Sequence, residues 1–212
     1  VRKTFTAGNN EYGQLMLNTT TASTGNRSSP VQVGSTPTFD YATIQKQYGY
    51  KAIILAKDPD SGGHSIFAAG GFNNGQSGLN VENKTISSPT QIGTDTTWSD
   101  QIGAYSTGSF AIKTNGTLWS WGSQQSLGIL GHNELQPYSS PKQVGTDTTW
   151  SKICKGNSRG DNVFAIKTNG TLWTWGWQYN TGSMGLNNGG VQRISSPTQV
   201  GTDTTWHGIS VT

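Results

Sequence analysis

The stretch FAIKTNGTLWSWG (Phe110–Gly122) returns 54 residues later as FAIKTNGTLWTWG (Phe164–Gly176), with one residue in thirteen changed. Asn115-Gly116 and Asn169-Gly170 signal a hairpin, because a two-residue type I′ loop needs positive φ at both central positions. With that turn, Ile112 is expected opposite Trp119 and Phe110 opposite Trp121, so that all four large side chains share one face. Ala111 and Ser120 are then expected on the other face, with Lys113 and Leu118 nearer the turn. One bulky face and one small face suit a stack of like sheets, each covering its neighbour.

The hairpin belongs to a longer unit. Ser-Ser-Pro occurs at Ser28–Pro30, Ser87–Pro89, Ser139–Pro141 and Ser195–Pro197, at spacings of 59, 52 and 56 residues. A short apolar/polar alternation follows each, and then GTDTTW at Gly93–Trp98, Gly145–Trp150 and Gly201–Trp206, with GSTPTF at Gly34–Phe39. Gly/Asn-rich loops follow the hairpins, as in GNNEYGQL (Gly8–Leu15) and GWQYNTGSMGL (Gly176–Leu186). Self-similarity at a period of about 50 residues marks solenoids and propellers, and radial repetition of short sheets is a β-propeller. The expected fold is therefore an all-β propeller region, with about four repeats of 52–59 residues. The repeats run roughly over 1–56, 57–113, 114–167 and 168–212, in a single propeller region over 1–212.

Seven of the eight tryptophans (Trp98, Trp119, Trp121, Trp150, Trp173, Trp175 and Trp206) stand at repeat positions and are assigned to the core. The first two repeats diverge. Phe5 and Phe67 replace the first hairpin Trp, Ala7 and Ala69 the second, and KDPDSGGH (Lys57–His64) interrupts the second hairpin.

Ser-Pro, a small-residue strand, a hairpin ending Leu-Trp-Ser-Trp-Gly and a loop of the Gly-Gln-Leu-Gly type together resemble the RCC1 repeat, of the regulator-of-chromosome-condensation type of propeller. The resemblance spans nearly the whole chain and is strongest in repeats three and four. It implies four-stranded blades, usually seven to a ring, and no cofactor. The founding member promotes nucleotide exchange on a small GTPase and touches chromatin through loops outside the repeat core, for which this sequence offers no matching motif. The His that often follows the glycine of the second strand is also absent, since Gly108 is followed by Ser109. The near-identical repeats look like those of bacterial and bacteriophage members. On this reading the 212 residues are an arc of a longer chain, or of a ring that another chain completes.

Composition narrows the chemistry. Only 12% of residues are charged, and the net charge of +3 comes from scattered residues with no basic run, which argues against nucleic-acid binding. The single Cys154 excludes an internal disulfide and a thiolate metal cage, and is expected to be a small core side chain. No apolar stretch is long enough to span a membrane. His64, His132 and His207 have no metal-ligand spacing, and His64 is placed in a solvated loop. No nucleophile elbow or phosphate-binding glycine motif is present, so no catalytic residues are assigned. The recurring Asp95, Asp147 and Asp203 fit Asx-type turns better than calcium, and Asp58 and Asp60, with Ser61 and Gly62, are a weaker calcium candidate.

Trp177 is the one tryptophan outside the repeat pattern, and with Tyr179 it is expected to put two aromatics on a loop. Trp177, Tyr179, Tyr12 and Phe72 are the candidate binding surface, for a protein partner or a sugar ring. The function expected is a non-enzymatic structural or decoration component of a virion or other extracellular assembly, whose loops meet protein partners or further copies of itself. The alternative is a secreted or cell-surface bacterial binding module, lectin-like or protein-binding. A GTPase-regulator-like propeller is the third reading.

Overall fold

The computed structural model describes residues 4–19, 25–33, 40–47, 50–57, 63–105, 107–123, 127–154, 162–178, 182–187 and 189–209. It is all-β. Among these residues fourteen strands follow one another: β1 (Phe5–Gly8), β2 (Arg27–Gln32), β3 (Asp40–Gln47), β4 (Lys51–Lys57), β5 (His64–Phe72), β6 (Lys84–Gln91), β7 (Trp98–Ala104), β8 (Gly108–Lys113), β9 (Leu118–Gly122), β10 (Tyr138–Gln143), β11 (Trp150–Cys154), β12 (Asn162–Lys167), β13 (Leu172–Gln178) and β14 (Gln192–Gln199).

Antiparallel neighbours group them into blades. β1 pairs with β2, and β3–β6, β7–β10 and β11–β14 form three four-stranded meanders. A bridge between His64 and Trp98 links the second and third blades. β7 adjoins both β3 and β11, so the first strands line the inner side of an arc. The Ser-Ser-Pro strands β2, β6, β10 and β14 run along the other edge, and the sheets do not close into a ring.

The repeated hairpin departs from the expected turn. Lys113 N donates to Thr117 O at 2.9 Å and Gly116 N to Lys113 O at 2.9 Å, which closes a three-residue loop. Positive φ falls on Gly116 (78°) and not on Asn115, whose side chain instead accepts from Thr117 N and Thr117 Oγ1. This is the three-residue alternative to type I′, with one αL residue. Ala111 therefore faces Trp119, Ser109 faces Trp121, and Phe110 faces Ser120.

A one-residue slip inverts the faces. The two tryptophans share a face with Ser109 and Ala111, while Phe110, Ile112 and Leu118 lie on the opposite one. Both faces are thus apolar, and each blade docks its tryptophans on the blade before it. Trp121 and Ala111 pack with Ile53, Leu55, Ile66 and Ala68 of the second blade. Trp175, Val163 and Ala165 cover Phe110, Ile112 and Leu118 in the same way. The Phe110 and Trp175 rings meet edge to face at 5.8 Å, and Trp175 Nε1 donates to Ile129 O at 2.7 Å. Cys154 is buried, packed with Phe164 and Ile166.

The GTDTTW aspartates brace their own turns, Asp95 and Asp203 as Asx-type turns and Asp147 through the Thr149 hydroxyl. Asp95 Oδ1 accepts from Thr97 N at 2.9 Å, and Asp203 Oδ1 from Thr205 N at 2.9 Å. The sequence did not disclose the second task of two of them. Asp95 pairs with Lys113 at 2.5 Å, and that ammonium lies 4.0 Å from the Trp119 ring centre and 5.0 Å from that of Trp98. Asp147, Lys167, Trp173 and Trp150 repeat the arrangement, with ring distances of 3.7 and 4.7 Å. Each lysine is clamped between two indoles and a carboxylate.

Candidate functional site

Tyr12 lies in the loop after β1, where its backbone N–H donates to Gln14 Oε1 and Gln14 Nε2 donates to Asn9 Oδ1. Tyr50 lies in the turn before β4. The two rings meet edge to face with centres 4.6 Å apart, and they stay 36% and 49% exposed. A Cβ added at Gly71 would come within 2.9 Å of Tyr12 Cδ1, so the ring rests directly on the β5 backbone. The equivalent residues in the other repeats are Asn9, Ser123 and Trp177, and a larger one at 71 would displace Tyr12.

Beside the rings runs an open groove of about 450 Å³, lined by Tyr12, Tyr50, Lys51, Asn73, Asn83 and Lys84 over a floor that includes Phe72. Among the described residues the lining carries two lysines and no carboxylate. Lys51 Nζ donates to Gln76 Oε1, and burial brings its pKa from 10.5 down to about 8. Lys84, Asn73 and Asn83 are exposed. Paired aromatics, amides and cations in a concave site are equipped to take a polar or acidic protein segment.

The three candidate residues among those described do not form one exposed site. Tyr12 stands at the groove. Phe72 is buried at 2%, packed with Ile53 and Ile86, because β5 runs on through residue 72 instead of ending at the glycines. Trp177 belongs to strand β13 and not to a loop. A register shift between Thr174 and Gly176 lets the ladder continue, which sets Trp177 opposite Arg193, half-buried and with its indole nitrogen shielded. Tyr179 lies outside the described residues, as do Asp58, Asp60, Ser61 and Gly62. Tyr50, Lys51 and Lys84 were missed, since their partner Tyr12 comes from the neighbouring blade and no spacing along the chain joins them.

Of the assigned core tryptophans, Trp98, Trp121, Trp150 and Trp175 are buried, whereas Trp119, Trp173 and Trp206 are half-buried. His64 is not in a solvated loop: it opens β5, half-buried, with Nδ1 3.2 Å from Trp98 O. His132 Nε2 is 2.9 Å from Ser120 Oγ, but Ser120 is fully buried and its hydroxyl donates to Leu130 O, so the pair orders a loop. Burial lowers the His132 pKa from 6.5 to about 4. Among the described residues no three His, Cys, Asp or Glu side chains are grouped to hold a metal ion, and no helix is long and apolar enough to cross a membrane.

No family model matches the sequence, and no curated protein matches it. Solved structures do. Human WBSCR16 is similar with a TM-score of 0.69 and 19% identity, over 92% of this chain and 46% of that one. Prp20p from Saccharomyces cerevisiae gives a TM-score of 0.69 and 17% identity, over 93% of this chain and 46% of that one. Yeast RCC1 (Prp20) in its complex with Kap60 gives 0.65 and 17%, over 82% and 40%. The fold is that of an RCC1-like propeller. This chain spans less than half the length of each of these relatives.

Proposed function

We propose that this chain is a non-enzymatic protein-interaction module, and that the groove between Tyr12, Tyr50, Lys51 and Lys84 binds a polar, acidic segment of a protein partner. The observation that carries this is the groove itself, with two exposed tyrosines meeting edge to face and two lysines among its lining residues. Support also comes from the similar structures, among them Prp20 bound to Kap60. In its finer form the proposal puts the module in a virion or other extracellular assembly, for which the support is a weakly charged chain rich in loops.

The test is a titration of acidic and neutral peptide libraries onto the wild-type chain and onto Tyr50→Ala and Lys84→Glu. Selective binding of acidic peptides, weakened in both variants, is expected. Binding that ignores both substitutions would overturn the groove assignment, and binding of a glycan by the tyrosine pair would point to the lectin-like alternative.

A second reading has one observation in its favour. Prp20p, one of the similar structures, is described with its binding to Gsp1p and histones. Stimulated nucleotide release from a small GTPase of the host would move the reading to a GTPase regulator.

A further inference from the structure

The third repeat departs from the other three at four positions that the fold brings together. His132 stands where they carry Leu17, Leu79 and Leu186, and Lys142 where they carry Val31, Thr90 and Thr198. Glu134 follows Asn133, where Thr19, Val81 and Asn188 follow the matching asparagines. Tyr138 precedes Ser-Ser-Pro in place of Arg27, Ile86 and Ile194. Leu79 and Leu186 pack against apolar core clusters. A histidine at 132 gives up such packing, and burial moves its pKa down to about 4. Departures from a local rule with no packing in return are expected at functional sites.

The four side chains form one connected group. Tyr138 Oη donates to Glu134 Oε2 at 2.8 Å, and Lys142 Nζ donates to Glu134 Oε1 at 3.2 Å and to Tyr138 Oη at 2.5 Å. The His132 and Tyr138 rings meet edge to face, with centres 4.8 Å apart. Ser120 Oγ gives its one proton to Leu130 O, so it accepts from His132 Nε2 at 2.9 Å. The neutral imidazole is thereby fixed as the Nε2–H tautomer, and Nδ1 is a hydrogen-bond acceptor.

This group walls an open pocket of about 490 Å³ at the seam of the third and fourth blades, a volume suited to a small ligand. His132, Glu134 and Lys142 line it from the third blade, and Lys167 and Trp173 from the fourth, with Asp147 on the connection between them. Among the described residues its charges come as two ion pairs, Glu134 with Lys142 and Asp147 with Lys167, so the lining carries no net charge. An ionic ligand would compete with one member of a pair, whereas a neutral ligand uses both. A hydroxyl can donate to a carboxylate while its neighbour accepts from the adjacent ammonium, and vicinal hydroxyls on a sugar ring have that spacing. Trp173 gives its N–H to Thr171 Oγ1 and offers an apolar indole edge to ring C–H groups. The preceding seam has the matching pair, Asp95 with Lys113, but Leu79, Val81 and Thr90 deny it the second pair and the imidazole.

We propose that this seam pocket binds one ring of a neutral saccharide, with vicinal hydroxyls bridging Glu134 and Lys142 and a further hydroxyl donating to His132 Nδ1. Tyr138 is a positioning residue that holds Glu134 and Lys142 from behind. The pocket lies on a different seam from the tyrosine groove and does not depend on the reading of that groove.

The test titrates glucose, galactose, mannose, N-acetylglucosamine and their disaccharides onto the full chain, read by NMR, with His132→Leu and Lys142→Thr in parallel. Each variant takes the residue that the second and fourth repeats carry, so folding is not at stake, and thermal unfolding should occur at or above the wild-type midpoint. We expect at least one of these sugars to bind, and its affinity to fall at least about tenfold in each variant. The nitrogen resonance of His132 Nδ1 should shift as a bound hydroxyl donates to it. If none of the sugars binds, the proposal is overturned. Equal binding by wild type and both variants would move the sugar out of this pocket, and an unmoved Nδ1 resonance in the bound protein would remove His132 from the contact. Tighter binding of glucuronic acid or glucosamine than of glucose would overturn the neutral class.

Discussion

At the scale of single residues, two charged groups tie this fold to pH in the same sense but in different windows, each through a folded-state pKa below its ordinary value. Asp147 is held below the ordinary carboxylate range, chiefly by its hydrogen bond from Lys167; burial opposes this, and the Thr149 hydroxyl adds a further lowering. A depressed folded-state pKa contributes stability above the unfolded value near 4, and that contribution is lost as pH falls through the lower folded value. Asp147→Asn should therefore lower stability at neutral pH by a modest amount, since the carboxylate is largely exposed. It should also flatten the acid limb of a denaturation series below about pH 4. An unchanged acid limb would mean that the Lys167 clamp rests on its two indoles alone. For Lys51 the cause is burial, which favours its neutral form. The folded protein releases this proton near pH 8 while the unfolded chain keeps it to 10.5, so stability should rise across that window, and Lys51→Met should remove the rise. An acidic peptide held in the groove should correspondingly weaken as pH passes 8, well before ordinary lysines titrate. Affinity constant from pH 7 to 9 would remove Lys51 from the binding surface.

At the scale of elements, the hairpin tip is wedged against the next repeat. A Cβ on Gly116 would lie 2.0 Å from Thr148 O, and one on Gly170 would lie 1.8 Å from Thr204 O. Both glycines also sit at φ near 78°, so alanine adds strain to the clash. Gly116→Ala should cost about 2–4 kcal/mol in a urea titration, because Thr148 lies between β10 and β11, both anchored in full blades. Gly170→Ala should cost less, because Thr204 follows β14 and its segment can shift away from the tip. Equal costs would show that 201–206 is as firmly held as the inner connections. The same hairpin shows how far the sequence can be read. The repeat, the blade and the recurring Asx turns were legible, because near-identical copies expose the period and turn chemistry is local. The register was not. Asn-Gly is compatible with loops of two or three residues, these differ by one step, and only the φ of Asn115 distinguishes them. That step decided which blade receives each tryptophan. The site was harder still to read. Phe72 and Trp177 were displaced from the surface by strands that continue past a glycine bulge, and Tyr50 meets Tyr12 only because neighbouring blades meet.

At the scale of the whole molecule, the arc is a one-dimensional chain of interfaces, in which each blade touches only its neighbours. Stability then approximates a sum of blade terms and seam terms, and a seam can fail alone. The seam between the third and fourth blades centres on Trp175, which is fully buried against Phe110 and Trp150 and bonded to Ile129 O. Trp175→Ala removes that indole from a site lined by side chains of two blades, at a cost of about 3–5 kcal/mol. The loss falls on one seam, so hydrogen exchange should speed up across β11–β14 while β4 and β5 keep their protection. A matching loss from Ala69→Gly is not expected, because Met16 packs against Ala69 and already fills that seam. If exchange rises evenly through all blades of the Trp175→Ala protein, the arc unfolds as a single unit and the seams are not separable. Separable seams would explain why blades of this type tolerate different residues at each junction: a glycine with tryptophan (Gly131 with Trp175), or a methionine with alanine (Met16 with Ala69), has to agree only with the partner across its own seam.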